Sequence, residues 1–160
     1  MGEKSFDKFL EEYEETRKKF DLPSFKEMRE NFDLNKIYEI DGNILVRDVR
    51  RVIGEKITNH LHLFETLLNP SSPPMFVFNF LKNVSESDRK EIKEIYKELS
   101  KMQIKLIKLD TLYDEKNEAE FIKTSFADWQ KMKKRIFNLV ETFEKEFVKN
   151  SVEKEKSYFG

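Results

Sequence analysis

Large apolar residues return every three or four positions along this chain, the period of one helix face. Phe6, Phe9, Leu10, Tyr13 and Phe20 predict a first helix over about residues 5–20. Pro23 interrupts it, and Ser24 with Glu27 forms a capping-box signature for a short second helix through about Phe32. The spacing next predicts a long helix from about Ile44 to Leu68, stopped by the Asn69–Pro74 run. Ser72 is the expected cap of a short helix entered through Pro73 and Pro74, because proline suits the first helical turn. Ser85 and Asp88 then open another long helix, whose stripe runs through Ile92, Ile95, Tyr96, Leu99, Met102 and Leu106.

No glycine or proline lies between Pro74 and Gly160, so the pattern alone would allow one unbroken helix there. Phase argues against it. From Ile92 to Ile122 a straight helix turns through a net of about 120°, too far for both stripes to face one core. A break near residues 113–118 resolves the conflict and permits an antiparallel hairpin. One passage reads two ways. Residues 36–46 place Asp41-Gly42 between alternating apolar positions, a hairpin signal, yet an isolated two-stranded hairpin is marginal. A short helical turn ending near Gly42 is the preferred reading.

The fold class expected is therefore all-α, an irregular helical bundle with three long amphipathic helices and two or three short ones. One helical domain is expected over residues 1–149, with a frayed tail at 150–160. Composition sharpens this. Apolar and charged residues each make up 38% of the chain, so the stripes are narrow; 15 phenylalanines make the few core positions bulky. The absence of cysteine excludes disulfides, thiolate metal sites and cysteine nucleophiles. The most apolar run, residues 75–81, is too short to cross a bilayer, and no leader pattern is present, so no membrane is expected and a cytoplasmic location is.

Candidate chemistry changes the picture little. His60 and His62 are two apart on the third helix and point to different faces, so they cannot share a metal ion. His60 falls within the apolar arc of Leu45, Val49 and Ile53, whereas His62 falls with Arg51, Glu55 and Glu65. Asp110 lies in line with Ile92, and Lys133 close to Ile122 and Val140. A buried polar network of His60, Asp110 and Lys133 is one expectation, and a carboxylate–histidine proton-transfer pair the sharper variant. Neither histidine follows a glutamate by three positions, which excludes a di-iron bundle motif, and no glycine-rich phosphate loop occurs. No metal site, cofactor or catalytic residue is assigned.

Net charge is −1, which selects no partner in bulk. Locally, Arg47, Arg50 and Arg51 occupy one helical turn, and Lys131, Lys134 and Arg135 cluster near the C-terminus, a candidate polyanion-binding set. Ile122, Trp129, Ile136 and Phe143 recur every seven residues, a spacing for packing within the chain or against a partner helix. The leading functional expectation is a non-catalytic adaptor that binds protein, or a second copy of itself, through a helix face. RNA or ribonucleoprotein association through the Arg/Lys faces is the alternative. A third reading is a magnesium-dependent nucleotide phosphohydrolase using Glu12, Glu15, Glu30 and Asp33, whose pairwise spacing is loosely suitable.

Overall fold

Two helix ends near Pro23 show how local chemistry sets the architecture. The first helix, α1 (Phe6–Phe20), closes with Asp21 in the left-handed region at φ 53° and the Leu22 amide donating to the Arg17 carbonyl at 3.1 Å. That six-to-one bond is the Schellman closure, which usually places glycine where Asp21 stands. Three residues later Ser24 caps α2 (Phe25–Asn31): its hydroxyl accepts from the Glu27 amide, and the Glu27 carboxylate accepts from the Ser24 amide. The capping box expected from the sequence is present. The doubly accepting Glu27 carboxyl is held below its ordinary range by the Ser24 hydroxyl first and the Ser24 amide second. Asp21→Gly is expected to raise stability by about 0.5 kcal/mol, since relief of the left-handed strain outweighs the loss of a solvent-exposed contact to Lys123. The midpoint of urea unfolding checks it; a lower midpoint would show that the Asp21 side chain matters more than its backbone.

The computed structural model describes the backbone of residues 6–39 and 44–158, and the side chains of these except 36, 38, 39, 76 and 150–158. Among the described residues the chain is all-α, with several long helices packing together and no strand. After α2 a 3-10 helix spans Leu34–Glu39, followed by α3 (Leu45–Leu68), α4 (Met75–Leu81), α5 (Glu86–Thr111) and α6 (Glu115–Tyr158). The helical reading of residues 36–39 therefore holds, and the Asp41-Gly42 turn lies outside the described residues. Ser85 caps α5 through the Asp88 amide, and Asp114 opens α6 by accepting from the Asn117 amide. The break expected at 113–118 falls there. Ser72 does not cap α4, however. The N-cap is Pro74, with no side-chain hydrogen bond, because the second proline sets the entry by its fixed φ instead.

The chain forms two compact units. The first comprises residues through Asn59 and Lys101–Trp129. Its interior holds Tyr13, Met28, Ile53, Ile57, Leu106 and Trp129. Tyr13 is fully buried, and its hydroxyl donates to the Pro23 carbonyl at 2.9 Å, tying α1 to the loop before α2; burial pushes the phenol well above its usual pKa. Gly54 lets α3 approach Leu106 of α5: a Cβ there would meet Leu106 Cδ2 at 3.1 Å. The second unit comprises His60–Ser100 and the chain from Gln130. Its interior holds Phe64, Phe80, Ile95, Leu99, Met132 and Leu139. Arg135 of α6 clamps α5 there, donating to Glu91 and, at 2.7 Å, to Glu98. Those two carboxylates hold the guanidinium above its ordinary pKa.

Candidate functional site

Three features of the two units carry enough structure to be considered. The first is a charged cluster inside unit one. Val46, Arg50, Ile53 and Ile57 are all buried on α3, at alternating steps of four and three. On α6, Glu118, Ile122, Ser125 and Trp129 repeat the same steps and are buried as well. An arginine and a glutamate thus stand at seam positions of the two helices, and they find each other. Arg50 Nε donates to Glu118 Oε2 at 2.7 Å, and Arg50 Nη1 lies 2.8 Å from Asp110 at the end of α5. The Glu118 side chain is 0% exposed and that of Arg50 6%. Burial acts to lower the Arg50 pKa, yet the hydrogen bond and charge of Glu118, then those of Asp110, leave it above its ordinary value.

Arg47 stands one turn before Arg50. Its guanidinium stacks over the Tyr113 ring at 4.2 Å, and its Nε lies 3.9 Å from Glu118, within ionic range but beyond hydrogen-bond reach. Arg51 is half-exposed and reaches the buried Asp48 carboxylate at 3.6 Å. Every arginine of the α3 triplet therefore lies against a carboxylate, and the most buried of them has two. Chemically the cluster is a neutralised structural core, with no exposed cationic face from Arg50.

The second feature is a groove of about 450 Å³ in unit one, between the end of α5 and the start of α6. Leu109 and Phe121 form its buried floor, Lys105 and Lys108 one rim, and Glu120 with Asn117 the other. Its mouth carries Leu112, which is 76% exposed.

The third lies on α6 in unit two. Met132, Ile136, Leu139 and Phe143 follow the four-three repeat; the first three are buried and Phe143 half-buried. One residue further along, Lys133, Phe137, Val140, Glu144 and Phe147 form a second seam with the same repeat, and all five are exposed. Phe137 is 60% exposed, Val140 45%, Phe147 50% and the neighbouring Val148 55%. A scattered exposed apolar residue is ordinary, but a seam of them on one helix face is not.

These placements revise several expectations. Asp110 and Lys133 are exposed and His60 is half-buried, so the three form no buried network. The carboxylate of Asp110 belongs to Arg50. His62 is at the surface, with Nδ1 3.7 Å from Glu65, as its helical position implied. Of the candidate polyanion set, Arg50 and Arg135 are committed to carboxylates, Arg47 and Arg51 are near them, and Lys131 and Lys134 are exposed. Among the described residues no group of three or more His, Asp or Glu side chains is gathered to hold a metal ion, and Glu12, Glu15, Glu30 and Asp33 remain apart from any such cluster. The seven-residue series through Ile122, Trp129 and Ile136 is buried within the chain.

Glu118 is the residue that sequence reasoning missed. Its signal was present: extending the α6 seam back from Ile122 by four residues lands on a glutamate. None of the family models, curated proteins or solved structures compared with this chain matches it.

Proposed function

We propose that this chain is a protein-binding module that presents the exposed α6 seam to a helix of its partner. The observation that carries the reading is the adjacency of two heptad seams on one helix, the first turned into the second unit and the other, centred on Phe137 and Val140, left in water. Leaving four large apolar side chains half-exposed on one face is unfavourable in a monomer, each forgoing part of the roughly 1.5–3 kcal/mol that full burial supplies. Coiled-coil pairing recovers it with alternating knobs and holes, the arrangement that four-three spacing serves. The sequestered arginines weigh against the polyanion reading, because Arg50 and Arg135 would have to abandon carboxylates before meeting phosphate.

The test is a pull-down of tagged protein washed at low and then high salt, run alongside Phe137→Asp and Val140→Asp. A protein retained by the native chain through the low-salt wash, and at least tenfold less with either variant, is the expected result. Retention unaffected by both substitutions would sink the reading. RNA lost between the two washes would move the assignment to the exposed lysines.

A further inference from the structure

The charges in the exposed seam point to a specific occupant. Its order along α6 is Lys133, Phe137, Val140, Glu144 and Phe147, so one cation and one anion stand at positions that a pairing helix must cover. Two parallel copies in register would set Lys133 against Lys133 and Glu144 against Glu144, like charges in the centre of an interface. Antiparallel copies behave differently. When Phe137 faces Val140 of the second copy, symmetry makes Val140 face its Phe137, and the same register sets Lys133 against Glu144 at both ends. The flanking positions agree. Lys134 and Glu141, both exposed, become the pair that an antiparallel register brings together along the seam's edge.

We infer that the α6 seam is a self-association surface, taking a second copy of this chain in antiparallel register with two Phe137–Val140 contacts flanked by two Lys133–Glu144 ion pairs. This rests on the docking reading above and names its partner. The seam from Lys133 to Glu144 is only about 16 Å long, and an interface of that size makes a weak, concentration-dependent dimer rather than an obligate one. Two-fold closure also explains why the patch is self-complementary in charge, since an isologous interface must match its own sign pattern reversed.

Charge reversal tests the register directly, at two residues whose side chains are exposed. Sedimentation equilibrium of the purified full chain is expected to show a shift from monomer toward dimer as concentration rises. Lys133→Glu alone and Glu144→Lys alone should each weaken the dimer at least tenfold. The double variant Lys133→Glu/Glu144→Lys should restore it, as should mixing the two single variants. A monomer at all concentrations overturns the inference, as does a dimer indifferent to the single changes or a double variant that fails to recover. A photoreactive phenylalanine analogue at position 137 separates this from failure of the docking reading. Crosslinking to Val140 of a second copy supports both. An adduct in lysate to a different protein, with none in the pure chain, overturns self-pairing and leaves the docking surface. No adduct in either overturns both.

Discussion

Replacing Glu118 with leucine should cost about 3–5 kcal/mol of folding stability, the penalty for stranding a buried guanidinium. Arg50 is 5% exposed and Glu118 fully enclosed, so water cannot substitute for the missing carboxylate without opening the packing around Ile53 and Ile122. Asp110 does not rescue the charge, because its side chain is 64% exposed and its attraction is screened by solvent. The expected order is then clear. Glu118→Leu is severe, Asp110→Asn costs no more than about 1 kcal/mol, and the double change Arg50→Met/Glu118→Leu recovers most of the loss. The recovery is the informative arm, since a matched apolar pair removes both desolvation terms together. Urea unfolding followed by circular dichroism measures all three. A Glu118→Leu loss below about 1 kcal/mol would mean that Arg50 swings out to solvent, and that the cluster is a surface pair only temporarily closed.

Much of this architecture was legible because its signals are local. Pro23 with the Ser24/Glu27 box and the proline stop after Leu68 each depend on a few neighbouring residues, and the phase conflict ahead of Ile122 is read along one continuous stretch of chain from Ile92. Pattern and structure part where the chain departs from the phase of a straight helix. The buried stripe of α5 runs Ile92, Ile95, Leu99, Met102, Leu106 and Leu109, alternating three and four, a period of 3.5 rather than 3.6. That seam drifts by about 20° per heptad on a straight helix. By the end of α5, Asp110 has left the stripe although it stands in line with Ile92. The same shift carries Lys133 and Val140 one position off the buried α6 seam and into water. The polyanion set places Arg50 at the surface because its partner lies 68 residues away, a distance over which spacing carries no information. Reading seams instead of stripes would have placed both Arg50 and Glu118 inside, and their opposite charges would have suggested the pair. For the exposed seam the sequence held the pattern, but only the burial of its neighbour, one residue before, distinguishes it from core.

The first unit, which holds Arg50 and Glu118, contains a second site where one substitution should remove a large share of stability. Trp129→Ala is expected to cost about 3–5 kcal/mol, the usual range for emptying an aromatic core position. Trp129 is 5% exposed, and its ring meets Phe32, the C-cap of α2, with centroids 6.0 Å apart. Lys56 of α3 sits above this pair, its ammonium 4.7 Å from the Trp129 ring and 5.6 Å from Phe32, while donating to the carbonyl of Asn31. One cation therefore serves the aromatic faces and an end carbonyl of α2. Deleting the indole removes the ring's packing and also the stronger of the two π surfaces that hold Lys56 in place. A cycle with Lys56→Met separates these parts. If the ammonium acts through the indole, the two losses should overlap by about 0.5–2 kcal/mol, so that Lys56→Met costs less in the alanine background than in the native chain. Strict additivity would assign Lys56 to contacts other than the indole, the Asn31 carbonyl among them. In that event the loss from Trp129→Ala would owe nothing to Lys56, and Trp129→Phe should recover most of it.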